Sequence, residues 1–458
     1  MVRYSQMGDA IWRRRIVVTL VVGLLFRCIL AFGVFQQMPQ TEDGPSYRTQ
    51  ALQILDGTQG YHFFPPGTAL AAVPVYSVFG ASVGVDHAIA TAFWTLFSIS
   101  CAWLAWLVCN EKRAAWYATL MATFLPHGLL ATCTISSQPL ATALITSSLC
   151  LLVIAYRRQR LLPWTIASFL LGYATITRPA TLVLSGVALL ALVVAWKRIR
   201  LPLSTALAAL SALIVGQAVC IVPVMLHNHQ HGQGYSLSTN NEWNLLVGNN
   251  PYTPDYKTGH FGQRTFDQLP TDARDYLSKI LPHEQPALAS LSQRQAMKDS
   301  ALSYITAHPL HTMYRISNRF RGFWGMDYTA ARELQNTYQL SGKTTAGLLL
   351  VEGGGFLLVL LLACMYMLRN GSTDNYKTLV YIVVACSLLP YLLAFTVAKY
   401  HTIVLPVLFP LAGMMLVWIT SQQGRRELLH NHAKAILVIT VTILLIQVEH
   451  VFHIVDKY

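Results

Sequence analysis

The chain has 458 residues, of which 54% are hydrophobic and 12% charged; soluble domains carry roughly 25% charged residues. That deficit excludes one large soluble core and points to a polytopic membrane protein. The net charge of +13 would suit a nucleic-acid binder, but most of the excess sits in short turns between apolar runs, the positive-inside pattern of a membrane protein, so no nucleic-acid partner is expected.

About 20 apolar residues cross a bilayer. On that measure eleven spans are predicted, near 16–35, 87–109, 113–131, 139–156, 161–177, 179–196, 203–225, 346–368, 377–397, 402–420 and 434–451. The first follows Arg13, Arg14 and Arg15. It is long for a signal peptide and no small-residue cleavage site follows it, so it reads as an uncleaved span. With eleven spans the basic clusters fall on one face: Arg13 to Arg15, Lys112 with Arg113, Arg157 to Arg160, Lys197 to Arg200, Arg369 with Lys377, and Arg425 to Lys434. That face is the cytoplasm, and the C-terminus then lies outside. The eight cysteines (28, 101, 109, 133, 150, 220, 364 and 386) all lie in or beside apolar runs. This excludes a disulfide framework and a cysteine metal site.

Two outer regions are large, which divides the chain into an N-terminal transmembrane module (1–225), an extracytoplasmic loop region (226–345) and a C-terminal transmembrane module (346–458). The first outer loop is 36–86. Within it Thr68 to Val83 is apolar but short, and carries Pro74 and Gly80; counting it as a span would flip every later basic cluster, so it is predicted to lie along or re-enter the membrane surface. The loop region holds eleven Lys and Arg against nine Asp and Glu, so it is no polycation. Its first part, His227 to Phe266, reads as loop. Its second, from Pro286 to Phe323, reads as helix broken at His308-Pro309. Beyond that proline Met313, Ile316, Phe320 and Phe323 recur at helical spacing, with Arg315 and Arg319 on another face, which predicts an amphipathic surface helix.

The chemistry-bearing residues begin at Thr41-Glu42-Asp43-Gly44-Pro45, just after the first span. Pro45 suits a first helical turn, so Asp43 or Gly44 could simply cap a helix. Alternatively, a carboxylate held at a bilayer surface suits a general base. Tyr47 and Tyr61 could meet a sugar or anchor the membrane interface. Arg27, inside the first span, must face a bundle interior, a carboxylate or a cavity. His62 and His127 read as outer polar residues.

An aspartate shortly after the first span, a tyrosine four residues on, and Pro65-Pro66-Gly67 leading an apolar segment that ends in Val78-Phe79-Gly80 together resemble the GT-C superfamily of glycosyltransferases. The branch is that of the protein O-mannosyltransferases and the lipid A aminoarabinose transferase. LLGYATITRPA at 170–180, NLLVGNNPYTPDYKTG from Asn244 and AKYHTIVLPVLFPLAG at 398–413 match later segments in order. The resemblance implies an all-α GT-C-like bundle with two large extracytoplasmic loops. It also implies inverting transfer of a sugar, hexosyl or pentosyl, from a polyprenyl-phosphate carrier to an extracytoplasmic lipid, glycan or protein acceptor. Asp43 would be the catalytic base, with Glu42 sharing that role or binding the acceptor.

The leaving phosphate would need cations, and Arg178, Lys399, Arg315 and Arg319 are the candidates, though each could equally snorkel to lipid headgroups. Tyr400 and His401 flank Lys399 in the same motif, and Tyr47, Tyr61 and His62 complete the expected substrate contacts. Gln138 stands where many relatives carry a second acid. Glutamine can bond a sugar hydroxyl but cannot complete a hard-metal site; no cofactor is expected to be required, and a divalent metal is left open. The implied location is the bacterial inner membrane, with the site facing the periplasm. The rival readings are a transporter or flippase of lipid-linked sugars, and a non-catalytic membrane assembly subunit kept in view by Gln138.

Overall fold

The computed structural model describes every residue except 1, 199–201, 257–258, 260, 262–263, 265, 282–284, 370–373 and 456–458. Arg200 and the Lys257-Thr258 pair of the loop motif lie outside the described residues. All regular structure among the described residues is helical. The N-terminal half contains α1 (Val2–Ile29, extended by a wider turn Leu30–Val34), α2 (Gly44–Leu55), α3 (Gly67–Phe79), α4 (Val83–Val108), α5 (Lys112–Thr123), α6 (Pro126–Leu130), α7 (Ser137–Arg158), α8 (Leu161–Thr177), α9 (Ser185–Arg198) and α10 (Leu203–Gln230). The outer region carries α11 (Asn241–Gly248), α12 (Thr271–Ile280), α13 (Leu291–Ala307), α14 (Pro309–Phe323) and α15 (Thr329–Tyr338). The chain ends with α16 (Gly342–Met367), α17 (Asp374–Leu393), α18 (Leu405–Thr420), α19 (Gln422–Asn431) and α20 (Ala433–Val455).

Among the described residues six helices can cross a bilayer by length and apolarity: Asp9–Val34, Val83–Val108, Ser137–Arg158, Leu203–Gln230, Gly342–Met367 and Tyr376–Leu393. Five shorter apolar helices accompany them, so the expected count of eleven crossings rests on elements shorter than a bilayer is thick. On α1 the apolar Val17, Val18, Val21 and Leu25 point outward while Arg27 is only 1% exposed, the arrangement of a helix whose solvent is lipid. The core runs laterally through packed neighbours, from α10 to α8, α7, α4, α5, α18 and α16. Helix α18 is buried on all sides, as an all-apolar helix should be. A Cβ on its Gly413 would come 2.3 Å from the Ala114 carbonyl, so small residues let α5 and α18 approach closely.

The expected span at 113–131 is instead α5, a break, and α6. Pro126 ends the hydrogen-bond ladder, and the freed carbonyls find donors from elsewhere. Arg27 Nη2 donates to Thr123 O at 2.8 Å and to Ser98 Oγ at 3.1 Å, and Ser98 Oγ donates to Ala122 O at 3.3 Å. The buried arginine of the first span therefore caps a broken neighbour rather than pairing with a carboxylate. A 12-residue helix spans about 18 Å, which is why α6 and the turn after it lie beside the first outer loop.

The apolar segment after the Pro-Pro-Gly turn forms α3, ending at Gly80 with φ 69°. It packs on α2, α4 and α8. Asp86, fully buried at the start of α4, accepts from Tyr76 Oη at 2.6 Å and Arg48 Nη1 at 3.0 Å, which ties α2, α3 and α4 together. In the outer region the predicted break at His308-Pro309 separates α13 from α14, and the stretch read as loop contains α11. Helix α14 has its polarity reversed relative to a soluble surface helix. Arg315 and Arg319 are each 3% exposed, whereas Leu310, Met313 and Phe320 are turned outward.

Candidate active site

The first outer loop is laced to the turn before α7 by one side chain. Gln40 Nε2 donates to Cys133 O at 2.6 Å and its Oε1 accepts from Ile135 N at 2.8 Å. The Thr41 and Thr134 hydroxyls meet at 3.0 Å. This sets Glu42 and Asp43 against Ser136, Ser137 and Gln138. Asp43 occupies the N-cap position of α2, yet its carboxylate makes no cap hydrogen bond; the cap reading holds for the backbone and leaves the side chain available. Glu42 has φ 53°, a left-handed conformation that costs a non-glycine residue about 1 kcal/mol or more. Its Oε2 is held 3.0 Å from Lys399 Nζ.

Asp43 opens onto a cavity of about 630 Å³, together with Tyr47, Ser137, Arg178, Trp243, Tyr391 and Tyr400. Arg178 stands where α8 ends. It donates from Nη1 to Ser137 Oγ at 3.0 Å and from Nη2 to Tyr391 Oη at 3.1 Å, with its guanidinium 4.9 Å from the Tyr400 ring centre. Tyr391 and Tyr400 stack at 4.5 Å. The cavity wall is therefore a fixed cation, an aromatic pair and an open carboxylate. Burial, with the Asp43 charge beside it, pushes the Tyr47 phenol upward, so Tyr47 stays a neutral hydrogen-bonding group. Gly67 explains the Pro-Pro-Gly turn. A Cβ there would lie 2.7 Å from Thr177 N and 2.8 Å from Thr177 Cα, and Tyr173 Oη donates to its carbonyl at 3.0 Å. The turn thus presses directly on the residue before Arg178.

A second, small cavity of about 30 Å³ adjoins on the other side of the loop, lined by Glu42, Gln138, His127, Thr134, Glu333 and Lys399. Burial opposes charge on Lys399, but the carboxylates of Glu42 and Asp43 outweigh it and hold the ammonium above its ordinary value. Gln138 is 8% exposed and its Oε1 accepts from Ser136 Oγ. No second acid stands at that position. Among the described residues the group with ligand spacing is His127, Asp327 and Glu352.

Of the candidate site residues singled out in the sequence, the structure gathers Asp43, Tyr47, Arg178 and Tyr400 around the large cavity and Glu42, Gln138 and Lys399, with His127, around the small one. Tyr61, His62, Arg315, Arg319 and His401 line neither. Arg315 donates to Asp255 Oδ1 at 2.9 Å, Asn250 O at 2.9 Å and Thr253 O at 2.6 Å. Arg319 donates to Leu392 O at 2.8 Å, Gly248 O at 2.5 Å and Asn249 Oδ1 at 3.1 Å. Both arginines satisfy backbone of the 248–255 loop. Tyr61 donates to Ala287 O. The His62 backbone amide donates to Asn228 Oδ1 at 2.7 Å and its Nδ1 accepts from Gln50 Nε2 at 3.2 Å. His401 stacks on Phe356 at 3.5 Å between ring centres. Sequence reasoning missed Ser137, Trp243 and Tyr391 on the large cavity, because single polar or aromatic residues in apolar context carry no local signal. Glu352 did carry one, as a lone acid within the apolar run of α16.

No family model and no curated protein sequence matches the chain. Among solved structures, the apo oligosaccharyltransferase of Archaeoglobus fulgidus aligns with 96% of this chain at a TM-score of 0.50 and 13% identity. The alignment covers 55% of that enzyme, so this chain spans about half its length. The same protein in complex with an inhibitory peptide and a dolichol-phosphate aligns at 0.48 and 13% identity, again over 96% of this chain and 55% of that one. ArnT from Cupriavidus metallidurans bound to undecaprenyl phosphate aligns at 0.37 and 14% identity, over 88% of this chain and 77% of that one. At that identity the likeness is one of fold: the chain folds like the archaeal oligosaccharyltransferase.

Proposed function

We propose that the protein is a membrane glycosyltransferase that moves a sugar from a polyprenyl-phosphate carrier to an extracytoplasmic acceptor, with inversion. The observation that carries this reading is the large cavity, where the uncapped Asp43 carboxylate and the Arg178 cation share one aromatic-walled space. In the proposed reaction the acceptor hydroxyl or amine attacks the anomeric carbon from the face opposite the phosphate. The new bond to carbon forms as the carbon–oxygen bond to phosphate breaks. The acceptor proton passes to Asp43. The carrier leaves as a phosphate monoester, whose charge Arg178 meets with paired N–H donors. Lys399 fixes Glu42 and adds positive potential behind the catalytic loop. Tyr47, Trp243 and Tyr400 offer faces and hydroxyls to the sugar. The proposed setting is a bacterial inner membrane with this cavity on the periplasmic side.

The test uses the full chain in nanodiscs with a panel of polyprenyl-phosphate sugars and extracted envelope acceptors. Asp43→Asn should lower transfer by about 10²-fold or more while leaving the thermal midpoint of unfolding in place. Transfer that survives intact in this variant overturns the assignment of Asp43.

A further inference from the structure

His127, Asp327 and Glu352 form a further cluster of ionisable side chains. Glu352 is fully buried in α16, Asp327 is 2% exposed in the turn after α14, and His127 lies on α6. Three parts of the chain separated by 25 to 225 residues converge here, and glycines make the convergence possible. A Cβ on Gly353 would lie 2.8 Å from Met326 Cβ, and one on Gly355 would lie 2.6 Å from Pro126 Cδ. The Glu352-Gly353-Gly354-Gly355 run of α16 thus admits the two segments that carry Asp327 and His127. The ring of His127 is also packed edge-on to Trp94 at 5.5 Å.

The polar balance at this point is incomplete. His127 Nδ1 lies 2.7 Å from Glu352 Oε1 and 3.3 Å from Asp327 Oδ2. One ring N–H cannot serve both carboxylates, and the shorter contact takes it. Glu352 is further satisfied by the Ala330 and Ala331 amides at the start of α15, at 3.2 Å and 2.8 Å. Asp327 Oδ1 accepts from Thr329 N at 3.0 Å, but Asp327 Oδ2 is buried without a hydrogen-bond partner and faces the other two ligand atoms. A buried charged oxygen left in that state is costly. The ion-pair partner of both carboxylates among the described residues is His127, and His401 also acts on Asp327.

We propose that His127, Asp327 and Glu352 form a binding site for one divalent cation of the Zn²⁺ or Mn²⁺ kind. Metal bonds of about 2.1 Å put ligand atoms about 3.0 Å apart at right angles and about 3.4 Å apart at tetrahedral angles. The observed 2.7 Å and 3.3 Å lie near those spacings. The donor set is one imidazole nitrogen and two carboxylates, which suits borderline cations better than soft ones. Two carboxylates and a neutral imidazole also balance the ion's charge. His127 is 16% exposed at its side chain and lines the small cavity beside Glu42 and Lys399. The ion would staple α6, the turn after α14 and α16 behind the loop that carries Asp43. The ligands include neither Asp43 nor Glu42.

The experiment measures metal on the purified full chain, so it does not depend on finding the sugar donor. Protein stripped with chelator is dialysed against Zn²⁺, Mn²⁺, Ca²⁺ or Mg²⁺ and assayed by inductively coupled plasma mass spectrometry. About one equivalent of Zn²⁺ or Mn²⁺ per chain is expected, with a thermal midpoint several degrees higher than the stripped protein's. Asp327→Asn, which keeps the side-chain shape, should lose the ion, and Asp43→Asn should keep it. Independently of any variant, Mn²⁺ bound to the unaltered chain should show spin-echo modulation from one directly bound imidazole nitrogen. Metal that is absent from the unaltered chain, retained in Asp327→Asn, lost in Asp43→Asn, or free of imidazole coupling overturns the proposal.

Discussion

Lys399 Nζ sits 3.0 Å from Glu42 Oε2, joining the turn before α18 to the residue before the proposed base. Glu42 occupies left-handed backbone space at φ 53°, so the pair holds in place a conformation the chain would otherwise leave. Each side chain is mostly buried, 16% and 21% exposed. Lys399→Met should therefore lower transfer by about tenfold or more. In a double-mutant cycle with Glu42→Gln the two should couple by about 1 kcal/mol or more, read from thermal unfolding of the four proteins. Strict additivity would show that the contact does not hold the loop.

Arg178 and Arg315 should respond oppositely to substitution. Arg178→Lys keeps the charge but loses the fork that meets Ser137 and Tyr391. Its Michaelis constant for the lipid-linked donor should rise about tenfold, with little change in stability. Arg315→Lys would leave the Asn250 and Thr253 carbonyls short of donors. It should lose about 2 kcal/mol or more of stability, with no selective effect on donor affinity. Steady-state kinetics beside thermal scans separates the two.

Gly67→Ala should impair activity beyond its change in volume. The added carbon would meet Thr177 backbone at 2.7 Å, and either α3 or the end of α8 must move, taking Arg178 with it. A loss of transfer with the fold retained, seen by kinetics and circular dichroism, is the expected result. Full activity would mean the turn and α8 are not coupled.

His62 gives a pH signature. Burial, with His227 and His231 beside it, lowers its pKa to about 4 from an ordinary 6.5. The unfolded chain therefore takes up this proton at a higher pH than the folded chain does. The associated stability is intact above about pH 6.5 and is lost as pH falls toward 4, by at most about 3 kcal/mol. Thermal midpoints between pH 7.5 and 4.5 should fall more steeply for the parent protein than for His62→Gln. Parallel profiles would exclude this residue as the source.

The placement of Asp43 was legible because it depends on local features: an apolar run that ends, a proline at a helix start and a Pro-Pro-Gly turn. The all-helical membrane architecture was legible for the same reason, since about 20 apolar residues leave few alternatives. What escaped was decided by partners far along the chain. Periodicity showed that Arg315 and Arg319 share a face of α14 but not which way that face turns. The 248–255 loop needs donors for its carbonyls, and that need turns the arginines inward. The 113–131 run had the composition of a span, yet Pro126 and the Arg27 guanidinium cut it in two. Tyr400 was named from its motif, but the Trp243 and Tyr391 that share the Asp43 cavity with it lie on separate segments that only the tertiary fold brings together.

The inverted helix α14 also bears on how this protein can be handled. Arg319 binds carbonyls at the end of α17, while Leu310, Met313 and Phe320 stay uncovered. The 226–345 region is thus fastened to the transmembrane bundle on one side and oily on the other. Excised as a secreted fragment for crystallisation or immunisation, it would lose the Leu392 and Leu393 carbonyls that Arg319 holds and present a bare apolar stripe. The 226–345 region is therefore best produced and probed within the intact chain, in a lipid or detergent that can wet α14.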